Sequence, residues 1–271
     1  MSNSFKYYSP TSVEETIEVL KKCNESTCVL AGGTDLIVKL KKHMIDPENI
    51  VNLKKVDELN YIEEKDGIVK IGAMTTHSQI EQSPLINGKA AILAEACRHV
   101  GSTQIRNLGT IGGNIMNSSA AADSVAALTA LDASFIMIGP NGERTVSMDQ
   151  LHGKSGNVIR DKDEILKEIF FKSLNGSTVS GFKKLGRRSA LAIVVVSIGI
   201  VLENDTRKNA CKNIRVSLGG ISRNPSRAKA AEQFLIGREI NIKNIKGCLD
   251  KVSEFTVDNL ETLSKHPLSS G

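Results

Sequence analysis

Val29-Leu30-Ala31-Gly32-Gly33-Thr34-Asp35-Leu36 carries a diglycine out of a short apolar run and then turns polar. A second diglycine, Thr110-Ile111-Gly112-Gly113-Asn114, repeats the pattern, and Asp123 follows nine residues after Asn114. A pyrophosphate must be met by several N–H groups at once, and a side chain at the contact would hold the backbone off or forbid the φ values required. Glycine removes both obstacles. Each amide that donates to an anionic oxygen contributes roughly 1.5–3 kcal/mol net, so four or five anchor a dinucleotide without any lysine. A lone diglycine after a strand is ordinarily a tight turn. The pair, with Thr34, Asp35, Asn114 and Asp123 attached, points to one dinucleotide gripped by two loops of bare amides.

Around these loops the chain reads as mixed α and β. Ser12-Val13-Glu14-Glu15 has the form of a capping box, with Val13, Ile17 and Leu20 on one face of a helix ending near Lys21-Lys22. Cys28–Leu30 reads as a strand, Leu36–Leu40 as a helix and Ile50–Leu53 as a strand. Tyr61–Glu63 and Ile68–Ile71 flank Lys65-Asp66-Gly67 as a hairpin. Thr75-Thr76-His77-Ser78 caps the next helix, and helices are expected over 90–99 and 120–131. Ala133–Ile138 and Arg144–Val146 make a hairpin about Pro140-Asn141-Gly142, and Asp163–Ile169 reads as strand. Turn formers cluster in Leu174–Thr178, which places a domain boundary there. The expected division is residues 1–175, in lobes of about 1–55 and 56–175, and residues 178–271. In the second part, strands are expected over 192–202 and 214–218 with Asn204-Asp205 as a turn, then helices over 228–235 and 242–252.

Composition narrows the function. At 271 residues the chain buries a sizeable core. The balance of 35 basic and 30 acidic residues, +5 in all, is too weak to argue for nucleic acid or an anionic membrane. No apolar run has the length of a membrane span, and Met-Ser-Asn-Ser-Phe-Lys lacks a signal peptide's apolar region, so a cytoplasmic protein is expected. Five cysteines at 23, 28, 97, 211 and 248 form no C-x-x-C pair, which fits a reducing compartment and argues against an iron–sulfur cluster in this chain. The five histidines never pair at i, i+4, so no metal site is expected. Gly153-Lys154-Ser155 imitates the end of a P-loop, but Met148 stands where that motif needs glycine. Neither diglycine completes G-x-G-x-x-G. Lys183, Lys184, Arg187 and Arg188 read either as a solvated face or as an anion contact.

Leu30–Leu36, Gln104-Ile105-Arg106-Asn107 with Thr110–Ile115, Ala122-Asp123-Ser124, Asp163–Leu166, and Phe182-Lys183 with Arg187-Arg188 together resemble the FAD-binding (medium) subunits of the molybdenum hydroxylases. Those are the flavoproteins of xanthine dehydrogenase, nicotinate dehydrogenase and carbon monoxide dehydrogenase, and the likeness covers nearly the whole chain. It implies an α+β fold: a two-lobed FAD domain of the vanillyl-alcohol-oxidase (PCMH-like) type, then a small α+β C-terminal domain of the carbon monoxide dehydrogenase flavoprotein type. It also implies roles for particular residues. Val29, Leu30, Ala31, Gly32, Gly33, Thr34, Asp35 and Leu36 match the first pyrophosphate loop, and Thr110, Ile111, Gly112, Gly113 and Asn114 match the second. Asp123 matches an acid that takes hydroxyls of the flavin's sugar-like chain. Leu166 and Lys183 match positions along the isoalloxazine ring, and Val100 falls where some relatives place an aromatic against the cofactor. Lysine at the ring's carbonyl edge would tune the flavin, which itself performs the chemistry.

By this resemblance the chain is the FAD-dependent, xanthine dehydrogenase-like subunit of a heteromeric complex acting on CH or CH-NH groups. It would take electrons from an iron–sulfur subunit and pass them to NAD or another acceptor, while a molybdopterin subunit oxidises the substrate. Two other possibilities keep the fold: a stand-alone FAD-dependent oxidoreductase for a small alcohol, and a non-catalytic FAD-binding scaffold.

Overall fold

A computed structural model describes residues 5–153, 157–186 and 194–265. Lys154 and Ser155, Arg187 and Arg188, and the first two residues of the strand expected from 192 lie outside the described residues. The fold is α+β and is built on three sheets.

The first sheet is parallel, in the order β1-β3-β2: β1 (Lys6–Tyr8), α1 (Val13–Lys22), β2 (Thr27–Leu30), α2 (Leu36–Lys41) and β3 (Asn49–Asn52) follow one another in the chain. Ser12 caps α1 by accepting from the Glu15 N–H at 3.0 Å. Only half of the expected capping box forms, because the Glu15 carboxylate accepts from the Thr11 N–H and hydroxyl instead. Val13, Ile17 and Leu20 lie at a helical repeat and bury against Val51, Leu53 and Leu59. Leu53, expected to end the strand, starts a 3-10 turn after Asn52 accepts from the Lys54 N–H.

The second sheet is antiparallel, β4-β5-β8-β6-β7. Between its first and last strands the chain runs β4 (Ile62–Lys65), β5 (Ile68–Gly72), α3 (His77–Gln82), α4 (Pro84–Lys89), α5 (Ala91–Arg98), α6 (Thr103–Leu108), α7 (Ile111–Met116), α8 (Asp123–Leu131), β6 (Ser134–Gly139), β7 (Gly142–Ser147), α9 (Met148–Leu151) and β8 (Ile165–Lys172). Asp66 and Gly67 turn the β4–β5 hairpin with φ of 52° and 77°, the left-handed pair that a two-residue hairpin loop requires. Thr76 and Gln79 form a complete capping box on α3. Strand residues Val69, Ile71, Phe135, Met137 and Ile169 share one core with Leu93, Ile111 and Leu128 of the helices.

The third sheet, β12-β11-β10-β9, is also antiparallel and takes in β9 (Thr178–Gly186), β10 (Val194–Asp205), β11 (Ala210–Gly219) and β12 (Ser226–Arg227), followed by α10 (Lys229–Leu235) and α11 (Ile242–Lys265). Asn204 and Asp205 are the last residues of β10 beyond a bulge, not the turn the sequence suggests; the chain reverses after them, with Asn209 at φ 47°. Helix α11 runs well past Val252, because Phe255 continues the stripe that Cys248 and Val252 lay against the sheet.

Helix α8 joins these parts. All nine of its residues are buried, six of them apolar, while Asp123 pairs with Lys184, Ser124 with Asn114 and Thr129 with the Val125 carbonyl. Its start is Asp123, three residues later than the alanine run suggests. On one side it meets the core of the second sheet; on the other, Ser217 Oγ donates to the Ala126 carbonyl at 2.6 Å and Arg215 Nε to the Ala130 carbonyl at 2.6 Å.

Candidate functional site

Strand β2 delivers the first diglycine to the centre of the molecule. Gly33 has φ +75°, a conformation that L side chains rarely adopt. At Gly32 a Cβ would lie 2.1 Å from the Leu108 carbonyl oxygen and 2.9 Å from Gly109 Cα, so the first loop rests on the backbone leading into the second. The N–H groups of Gly32, Gly33, Thr34 and Asp35 find no acceptor among the described residues, and Asp35 supplies no side-chain cap to α2. Four adjacent main-chain donors are thus left for a ligand.

The second diglycine differs from the bare loop expected of it. Thr110 caps a helix, α7, by accepting from the Gly113 N–H at 3.1 Å, and the Asn114 N–H goes to the Thr110 carbonyl at 3.0 Å. Residues 109–112 run antiparallel beside 73–77: the Ile111 N–H donates to the Thr75 carbonyl, Gly112 N–H to Ala73 and His77 N–H to Gly109. The amides of residues 111 to 114 are therefore already used within the chain. Gly112 is required by packing, since a Cβ there would lie 2.6 Å from the Cβ and carbonyl oxygen of Ala73. What this segment offers a ligand is the Asn114 side chain, whose Oδ1 accepts from Ser124 Oγ at 2.6 Å and whose amide nitrogen is left as a donor.

Both segments line one cavity of about 320 Å³. Of the residues singled out in the sequence, Val29, Ala31, Gly32, Gly33, Thr34, Asp35, Leu36, Val100, Thr110, Gly112, Gly113, Asn114 and Leu166 form its wall. Leu30 lies beneath Gly33 and Ile111 is fully buried; neither is part of the wall. Lys183 is exposed on β9, opposite Ile198, while its neighbour Lys184 turns inward on the same face as the buried Phe182. Lys184 Nζ lies 2.6 Å from Asp123 Oδ2 and also donates to the His99 carbonyl, with side chains 10% and 4% exposed. Asp123 thus sits behind the cavity wall, held by Lys184, with its Oδ1 buried and unpartnered among the described residues. Burial raises its carboxyl above the usual range, against the pull of the Lys184 ammonium.

The wall also contains groups that no sequence motif announced. Lys39 donates to Asn117 Oδ1 at 3.1 Å, and Arg160 spans the Asp161, Lys162 and Glu164 carbonyls, so two cations face a site whose amides were expected to suffice without them. Glu164 is held by Arg144 through two bonds of 2.6 and 2.7 Å, which lower its carboxyl below the usual range and fix the floor at Ile165 and Leu166. Cys28 lines the wall too, its thiol pushed up by burial despite Arg160 and Lys39. His77, legible in the sequence only as a residue beside a cap, is 2% exposed and belongs to the same wall. These wall residues come from α2, β2, α3 and the loop before β8, and only the folded chain assembles them.

Among the described residues no group of three His, Cys, Asp or Glu side chains is placed to hold a metal ion, and no helix is long and apolar enough to cross a membrane. A family model described as the FAD binding domain in molybdopterin dehydrogenase matches residues 3–171, and one described as the CO dehydrogenase flavoprotein C-terminal domain matches 180–258. The nicotinate dehydrogenase FAD-subunit of Eubacterium barkeri is 33% identical over 94% of this chain and 87% of its own length. The glyceraldehyde dehydrogenase medium chain of Sulfolobus acidocaldarius is 33% identical over 92% of this chain and 87% of its own. A solved structure of carbon monoxide dehydrogenase from Hydrogenophaga pseudoflava superimposes with a TM-score of 0.87 at 29% identity, covering 93% of this chain and 86% of that one.

Proposed function

This chain belongs to the family of FAD-binding subunits of molybdopterin dehydrogenases, and on that premise we propose that it is the electron-relay subunit of a molybdenum hydroxylase-type complex. In this role it accepts electrons from an iron–sulfur subunit and hands them to NAD or another acceptor, while substrate is oxidised on a molybdopterin subunit. Support for partner chains comes from relatives named as an FAD-subunit and a medium chain. We also propose that the residues of the wall named above hold the cofactor, and that the chain divides near 175–178, between the family matches that end at 171 and begin at 180.

The observation that carries the site is the convergence of four unpaired amides, Gly32 to Asp35, with the Asn114 amide nitrogen in one cavity. That donor set fits a diphosphate, and the glycines leave no Cβ between backbone and ligand. Lys39 and Arg160 add positive potential at the same wall. Asp123 backs the wall from behind through its ion pair with Lys184. FAD held here supplies the one- and two-electron chemistry. The chain's residues bind it, orient it and keep the Leu166 side of the cavity dry.

Purification tests this directly. The protein is expected to be yellow and to release FAD on denaturation, and the native assembly to contain an iron–sulfur and a molybdopterin polypeptide. A colourless chain that takes up no added FAD overturns the cofactor assignment; a flavoprotein isolated from its native cells without such partners overturns the relay. Anaerobic NADH should bleach the loaded protein, and a spectrum unmoved by NADH removes NAD as the acceptor.

A further inference from the structure

His77 occupies the first position of α3, where its N–H is tied to the Gly109 carbonyl at 3.0 Å. The ring is 2% exposed, forms part of the cavity wall, and has its Cδ2 3.4 Å from where a Cβ on Gly109 would lie. Nδ1 is 3.5 Å from the sulfur of Cys97 on α5, and Nε2 has no partner among the described residues. Nε2 is not among the polar atoms shut off from open space, so on a residue of the cavity wall it is a polar atom that the protein leaves to a ligand.

We propose that His77 is a cofactor-binding residue, donating a hydrogen bond from Nε2 to an acceptor atom of the bound dinucleotide, with Cys97 as a positioning residue that fixes the tautomer. The inference rests on the cavity being the FAD site. Cys97 is wholly buried, and burial first, then Glu81 and Asp123, keep it a thiol. Sulfur is a poor acceptor and imidazole nitrogen a good one, so S–H donates to Nδ1 and the ring proton resides on Nε2. The ring itself stays uncharged, its pKa pushed down to about 4 by burial and by Arg106. Arg106 of α6 and Cys97 of α5 face it, and Glu81 of α3 holds Arg106 at 2.8 Å. An uncharged donor extends the amide set of the first loop without a counter-charge.

The full-length chain carrying ¹⁵N-histidine, free and with added FAD, reads the proposal. The His77 signals, assigned by their loss in His77→Gln, should show a protonated Nε2 and bare Nδ1 between about pH 6 and 8, and Nε2 should shift when FAD binds. His77→Gln keeps a donor at the same reach and should hold FAD within about threefold of wild type, whereas His77→Leu should weaken it about five- to tenfold. Cys97→Ala should mix the tautomers in the ¹⁵N spectrum. FAD binding that leaves the His77 signals unmoved, a proton on Nδ1, or full affinity in His77→Leu overturns the proposal. Should His77→Leu not fold, the wild-type spectrum decides alone. A wild-type chain that binds no FAD overturns the cofactor assignment instead, a distinct result.

Discussion

At the scale of single residues, Asp123 and Lys184 are a costly pair to separate. Both are almost wholly buried, and each is the other's principal compensation. Asp123→Ala leaves the ammonium without its carboxylate and is expected to cost about 3–5 kcal/mol, while Asp123→Ala with Lys184→Met should recover much of that loss. Urea denaturation of the wild type, both single variants and the double variant measures the coupling; simple additivity would mean that the pair contributes nothing. The neighbouring lysine shows what sequence alone misses here. Lys183 and Lys184 are chemically alike, and only the alternation of β9, with Phe182 inward, decides which of the two reaches the interior.

At the scale of elements, the site depends on how closely main chains approach. The third sheet can lie on α8 because small residues face it: at Gly199 a Cβ would meet Ser217 Oγ at 2.8 Å and the Ala126 carbonyl at 3.3 Å. Gly199→Val should push β10 from the helix and cost about 1–3 kcal/mol, while Gly181→Val on the same sheet, with nothing within 4 Å, should change stability by less than about 0.5 kcal/mol. Thermal melts of the two variants compare them, and equal losses would sink the account. Much of this level was legible: α1, β2, the β4–β5 hairpin, the β6–β7 hairpin and β11 each follow from apolar period, cap or turn chemistry. Helix α6 was not, because it buries none of its own residues and so shows no apolar repeat. The pairing of the Ile111 and Gly112 amides was illegible for another reason: their acceptors, Thr75 and Ala73, lie 36 and 39 residues earlier, and no local pattern encodes that register.

At the scale of the whole molecule, acid should act through buried histidine. His77 has a pKa near 4 in the fold against an ordinary 6.5, and burial lowers His152 as well. The unfolded chain therefore binds more protons than the native one below 6.5, so stability is full above that value and falls as pH drops from 6.5 towards 4. His77 alone removes about 2 kcal/mol by pH 5. Asp123 acts in the opposite sense, because its raised carboxyl is protonated more readily in the fold. Urea midpoints between pH 8 and 5 should slope downward in the wild type and more gently in His77→Gln, and parallel curves would count against His77 as the source.

The first loop meets its ligand through four N–H groups that belong to the main chain itself. Of all exchanges of side chain only proline deletes one of them, so drift in residue identity along 32–35 is filtered mainly by shape. At the glycines a substitution is rejected when its bulk strikes Leu108 or its φ departs from that of Gly33. Inserting or removing a single residue would instead turn every donor away together.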